Sequence, residues 1–226
     1  MGSIIDLHVH TTIGSWDSMI SPQRLADAAH RVGLTGMALS EHVNYWPAET
    51  LQQFREETGL AAMAAREWST DMGHIISVGL SPEVAGIRTA RDLHEAARAY
   101  GAFLILAHPF RYFPGPSSLL FGHVPNAREL SIEELAKHPV FELVDAIEVL
   151  NGGCLEGENR LALEVARYLG KPVVAGSDAH APMEVGLYAT LFDVEVRSLE
   201  DLLEALRAGR FRPARRQDGV FVPITE

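Results

Sequence analysis

The chain has one cysteine, Cys154, two lysines, Lys137 and Lys171, and no apolar run near the length of a bilayer. A single cysteine rules out an internal disulfide and a thiolate-based zinc site. No stretch approaches the roughly 20 apolar residues that a spanning helix needs, so no membrane partner is expected. The first residues lack a basic region followed by a long apolar stretch, so no secretory leader is expected and a reducing, cytoplasmic setting is the default. Positive charge is also scarce: Lys and Arg total 19 against 30 Asp and Glu, a formal net charge of −11. Such a surface repels a polyanion, which disfavours long nucleic acid as a partner. Bound divalent cations would invert that sign locally and leave a small phosphorylated substrate open.

What is present is 226 residues, 47% of them hydrophobic, enough for one sizeable core. Strand-like apolar runs alternate with helical patterns along the whole chain. The strands are predicted at Ile4–Val9, Gly36–Leu39, Leu60–Arg66, Ile75–Leu80, Phe103–Ala107, Ala146–Leu150 and Pro172–Ala175. Between them the spacing predicts a helix after Ser21, with Pro22 at its start and Gly33 at its stop. Further helices are predicted at Thr50–Glu57, Thr89–Tyr100, Ile132–Lys137, Glu158–Leu169 and Leu199–Ala208. This alternation predicts parallel βα units, and near-continuous apolar strands such as FLILA suit a sheet buried on both faces. No repeat or linker interrupts it, so one domain over residues 1–226 is expected. The irregular stretch Tyr112–Leu130, dense in Pro, Gly and Ser, is expected to be a loop or lid that sets specificity.

The histidines fall in a pattern. The first strand ends DLHVHT, and side chains two apart on a strand share a face, so His8 and His10 converge. The second ends ALSEH, with Glu41 and His42, and the third ends AAREW, with Glu67. His74 opens GHIISVGL, His108 follows FLILA, and Asp178 and His180 follow VVAG. Any one of these histidines alone reads more readily as a hydrogen-bonded structural residue. Six of ten at strand ends, five of them carboxyl ends where parallel sheets assemble active sites, is a functional signal. His30, His94, His123 and His138 lie in helical or loop patterns and read as surface or packing residues. Imidazole and carboxylate without sulfur suit Zn²⁺, Mn²⁺ or Fe, and the ligands are too many for one tetrahedral ion.

DLHVHT, SEH, the Glu67/His74 pair, AHP and GSDAH, in this order, resemble the polymerase and histidinol phosphatase (PHP) family of metal-dependent phosphoesterases. The resemblance runs from Asp6 to at least His180. It implies a distorted (β/α)7 barrel with two or three divalent ions in a cleft at the carboxyl ends of the strands. Carried over motif by motif, it implies that His8, His10, Glu67 and Asp178 hold the first ion. Glu67 would bridge to a second, held by His74 and His108, and His42 and His180 would hold a third. The family's remaining third-ion ligand follows HxH by a few residues, and Asp17 in TTIGSWDS is the candidate here. Where the family usually has Thr-Asp-His, this chain has Ser40-Glu41-His42, with Glu41 read as an acid that supports a ligand. The implied chemistry is attack on phosphorus by a metal-activated water, with His180 or Asp178 passing a proton to the leaving alkoxide.

Other residues are weaker candidates. Arg111, three residues after His108, is placed to clamp a phosphate bidentately, or else is one surface arginine among many. Asn151 in VLNGG reads equally as a substrate contact or a turn residue. The tail RAGRFRPARR, with Arg207, Arg210, Arg212, Arg215 and Arg216, reads as a solvated helix end and exit strand. The leading expectation is a phosphoesterase acting on a small phosphomonoester or nucleotide, with an exonuclease or phosphodiesterase on short oligonucleotides as the alternative. An amidohydrolase is disfavoured because neither lysine stands at a carboxyl strand end to be carbamylated. A non-catalytic metal-binding module is disfavoured because the ligand set looks complete.

Overall fold

A computed structural model describes residues 2–224. The strands are β1 (Ile4–Val9), β2 (Gly36–Glu41), β3 (Ala61–Thr70), β4 (Gly73–Val78), β5 (Phe103–Leu106), β6 (Ala146–Asn151), β7 (Val173–Gly176), β8 (Tyr188–Phe192), β9 (Phe211–Gln217) and β10 (Val220–Pro223). The helices are α1 (Pro22–Val32), α2 (Ala48–Thr58), α3 (Ala90–Tyr100), α4 (Ile132–Leu135), α5 (Val140–Leu143), α6 (Glu156–Leu169) and α7 (Leu199–Arg207). Local chemistry sets several ends. Ser21 caps α1 by accepting from the Arg24 amide, and Gly33 closes it in the left-handed region at φ 81°. Thr89 and Asp92 form a reciprocal capping box on α3, as Ser198 and Asp201 do on α7.

All ten strands form one mixed sheet in the order β10-β9-β8-β1-β2-β3-β4-β5-β6-β7. It curls, and its far edge returns to β1: the Asp178 amide donates to His8 O at 2.8 Å and the His10 amide to Ala179 O at 3.1 Å. Gly176 permits this approach, because a Cβ there would lie 2.4 Å from the Cβ of His8. The core packs on both faces of the strands, with Ile5, Leu7, Met63, Ile76 and Ile105 on one side of the sheet's middle and Leu93, Phe110, Phe141 and Ile147 in another cluster. No helix among the described residues is long and apolar enough to cross a membrane.

The structure corrects the expectation of parallel units throughout. β1-β2, β2-β3, β5-β6 and β6-β7 are parallel, but β4 runs antiparallel to both β3 and β5. β8, β9 and β10 are also joined to the sheet antiparallel, and β8 and β10 were not anticipated. The third strand is longer than the predicted Leu60–Arg66. It continues to Thr70 and turns at Asp71-Met72 into β4, where Gly73 takes φ 88°. Glu67 therefore lies within a hairpin, opposite Ile76, and not at a strand end.

The Tyr112–Leu130 stretch is irregular, with one short 3-10 turn at Ala127–Glu129. It is not a free lid: Leu120, Phe121 and Ala127 are buried in the core. Phe121 stacks on Phe110 at 5.6 Å and meets the edges of Phe113 at 5.7 Å and His138 at 5.4 Å. The basic tail is an exit strand with paired arginines. Arg210 meets Glu204 at 2.8 Å, Arg212 meets Asp193 at 2.8 Å, and Arg207 donates to the Gly101 carbonyl.

Candidate metal centre

The strand directions bring the histidines together. β1, β2, β5 and β7 deliver His8, His10, His42, His108, Asp178 and His180 at or just beyond their carboxyl ends. His74 had stood apart as the one histidine at an amino end. Because β4 is antiparallel, its amino end lies at the same end of the sheet as its neighbours' carboxyl ends, and His74 joins the cluster. A cleft of about 280 Å³ opens there, lined by Asp17, His42, Glu67, His74, His108, Arg111, Asp178 and His180. His8 and His10 form its buried floor.

Glu67 is the hub. Its Oε1 lies 2.9 Å from both His74 Nδ1 and His108 Nε2. Its Oε2 lies 3.4 Å from His8 Nε2, 3.4 Å from His10 Nε2 and 3.3 Å from His42 Nδ1. Asp178 Oδ1 faces the same two floor histidines at 3.4 and 3.3 Å. Asp17 Oδ2 stands on the outer side, 3.4 Å from His42 Nε2 and 3.3 Å from His180 Nε2. Arg111 reaches back into the cleft, its Nη1 3.0 Å from Asp178 Oδ2. All nine residues of the expected metal set are thus gathered at one end of the sheet, together with Arg111. His108 and Asp178 both hold positive φ, 30° and 53°, in a region costly for residues with a Cβ.

The residues fit a cation on their own geometry. His8 Nε2 and His10 Nε2 are buried and have no hydrogen-bond partner, yet they face carboxylate oxygens at 3.3–3.4 Å. Donors bound tetrahedrally at about 2.0–2.2 Å sit roughly 3.4 Å from one another, so this spacing suits a shared ion. Three overlapping groups have donor atoms mutually within 4.8 Å: His10, His42 and His180; His8, Glu67 and His108; and His8, His10 and Asp178.

Electrostatics of the ion-free cluster show the same demand for positive charge. Burial opposes a charged His8, but the carboxylates of Asp178, Glu148 and Glu67 outweigh it and hold its pKa well above the ordinary value. Burial instead drives His10 down to about 4, aided by repulsion from His8. Burial would raise Glu67 and Asp178, yet the His8 charge and histidine hydrogen bonds hold both well below the usual carboxylate range.

Three supporting residues complete the arrangement. Glu41 is buried beneath the metal side chains and accepts from the Thr11 amide, Thr11 Oγ1, Ser15 Oγ and Trp46 Nε1. Ser15 Oγ in turn meets His10 Nδ1 at 3.1 Å, so Glu41 acts on the site through Ser15. Asn151 takes the turn role, its Oδ1 accepting from the Gly153 amide, while its Nδ2 lies 3.4 Å from Asp178 Oδ2. Glu148 was missed by sequence reasoning. It is buried against His8 Nδ1 at 3.0 Å, and the available signal was a lone acid in the apolar strand AIEVLN.

The fold and site define a histidine- and carboxylate-lined metal centre at one end of a curled α/β sheet. Residues 156–211 match the family described as PHP-associated (PHP_C). No curated protein matches its sequence significantly. Among solved structures, it resembles a protein from Bifidobacterium adolescentis assigned as a metal-dependent phosphoesterase (TM-score 0.60, 15% identity, 90% of this chain and 95% of that one). It also resembles an amidohydrolase from Chromobacterium violaceum (TM-score 0.62, 18% identity, 95% and 98%). A third is the lesion-specific endonuclease EndoQ of Pyrococcus furiosus (TM-score 0.59, 15% identity), of which the match spans 56% against 92% of this chain.

Proposed function

We propose that this protein is a metal-dependent phosphoesterase that hydrolyses a small phosphomonoester or nucleotide, working as a single distorted (β/α)7 barrel. The observation that carries this reading is the set of three overlapping donor groups beside one arginine in a cleft of about 280 Å³. That volume is at the lower end of ligand pockets, suited to a phosphoryl group and the near part of its ester. His8, His10, Glu67 and Asp178 would hold one ion, Glu67 with His74 and His108 a second, and Asp17, His42 and His180 a third. Mn, Fe and Zn all suit this donor set. When bound, such ions supply a water of lowered pKa and neutralise charge on the phosphoryl oxygens.

The chain's own residues do the rest. Arg111 keeps one amine group on Asp178 and presents the remaining guanidinium donors to a phosphate in the cleft. Asp178 is held ionised, so it is a poor proton donor to a leaving alkoxide. His180, at the mouth, is oriented by its Nδ1 against the Asp178 carbonyl at 2.9 Å, which leaves Nε2 facing Asp17 for the third ion.

Cleavage of a nucleic-acid phosphodiester is the second reading, favoured by the likeness to EndoQ. The net charge of −11 and the ion-paired arginines of the tail count against it. Amide hydrolysis with a bridging carbamylated lysine has no residue to use: Lys137 is exposed beside Glu133, and Lys171 precedes the amino end of β7, opposite the end that carries Asp178, and donates to the Val144 carbonyl. The test is phosphate release from a phosphomonoester panel after reconstitution with Mn, Fe or Zn, run beside mononucleotide release from oligonucleotides. Turnover of phosphomonoesters, abolished by chelation, is the expected result. Metal-dependent turnover of oligonucleotides alone would replace the reading with the second one.

A further inference from the structure

We infer that Glu148 is a positioning residue that fixes the tautomer of His8 and so makes its Nε2 available to a metal ion. The inference rests on reading the cluster as a metal centre. Glu148 is 2% exposed, lies on β6, and belongs to none of the motifs. Three groups converge on its two oxygens. His8 Nδ1 lies 3.0 Å from Oε1 and 3.3 Å from Oε2. The His108 amide donates to Oε2 at 3.0 Å, and Asn151 Nδ2 donates to Oε2 at 2.8 Å. The Asn151 amide cannot be the other way round, because its Oδ1 accepts from the Gly153 amide.

The proton count follows from these contacts. An ionised carboxylate only accepts hydrogen bonds, and two of its partners are fixed donors. The third, His8 Nδ1, must also carry a proton. A neutral His8 then has its lone pair on Nε2, the buried atom without a partner that faces Glu67 and Asp178. Glu148 also holds the amide of His108 at its strained φ of 30°, so one carboxylate orients ligands from two strands.

Glu148→Gln separates this role from mere packing. The amide oxygen is drawn to the side with two fixed donors, His108 N and Asn151 Nδ2. Its NH₂ then faces His8 Nδ1, which must become the acceptor. His8 flips to the Nε2–H form and presents a hydrogen where the ion should bind. Glu148→Asp keeps an acceptor-only group with shorter reach.

The test is calorimetric titration of Zn²⁺ into metal-free wild-type, Glu148→Gln and Glu148→Asp proteins, with ¹⁵N imidazole spectra of the zinc-loaded forms. The wild type should show His8 protonated at Nδ1. Affinity at the tightest site should fall roughly tenfold to a hundredfold in Glu148→Gln, with Glu148→Asp retaining more. A packing role would reverse that order, since Gln matches Glu in shape. Equal affinity in wild type and Glu148→Gln, or the Nε2–H form of His8 in the wild type, would overturn the assignment. The wild-type spectrum decides the matter even if a variant fails to fold. Failure of the wild type to bind zinc would instead overturn the metal-centre reading itself.

Discussion

Replacing Glu67 by Gln tests the hub of the site. The change keeps the side chain's size and removes its charge. Five histidine nitrogens lie within 3.4 Å of the Glu67 oxygens, so no other residue touches as many of the expected ligands. Removing one partner from a buried charged arrangement costs about 3–5 kcal/mol. At about 1.4 kcal/mol per tenfold, metal affinity should fall roughly a hundredfold to a few thousandfold. In the proposed arrangement the first ion would keep His8, His10 and Asp178, while the second would keep only His74 and His108. Loss of at least one ion is the expected outcome, with a fall in kcat of several orders of magnitude. The fold should survive, because Glu67 belongs to none of the apolar clusters that form the core. Elemental analysis and phosphate release, with circular dichroism as the folding control, read this out. A folded variant with full metal content and near-normal turnover would refute the bridging role.

Three further outcomes follow from the same geometry. Arg111→Ala should lower kcat/KM roughly tenfold to a thousandfold with metal content unchanged, because the guanidinium faces the cleft without being a ligand; an unaltered rate would reduce it to a partner of Asp178. Loading metal at pH 7 should release protons. His8 is held above its ordinary 6.5 in the ion-free protein, so its pairing stabilises that form below 6.5 and the contribution is lost as pH rises through the raised value. Titration heats that do not vary with buffer ionisation enthalpy would contradict this. Phe121→Ala should cost about 3–5 kcal/mol in urea unfolding, because it removes a ring stacked between Phe110, Phe113 and His138; a loss below about 1 kcal/mol would mean that the 112–130 segment is not anchored to the core.

The site was more legible in the sequence than the fold. His8 and His10 announce themselves because a two-residue period fixes their common face, and AHP and GSDAH sit where apolar strands stop. Strand direction is different. The alternation of apolar runs is the same for a parallel crossover and a hairpin, so β4 gave no sign that it runs backwards. The only local cue was the short turn at Asp71-Met72-Gly73. That one reversal explains why His74, at an amino end, still meets His108 and Glu67. Glu148 stayed hidden for another reason: two of its three partners, His108 and His8, lie 40 and 140 residues away in the chain, and no local pattern encodes such contacts. The anchoring of the 112–130 segment was hidden likewise, since Pro, Gly and Ser report backbone irregularity and say nothing about where Phe121 packs.

Metal content of the purified wild-type protein tests the central claim most directly. The nine side chains gathered at the cleft, Glu67 among them, predict more than one equivalent of Mn, Fe or Zn per chain, as isolated or after reconstitution, with phosphate release lost on chelation and restored with the metal. Less than one ion per chain after reconstitution, in folded protein, would contradict it.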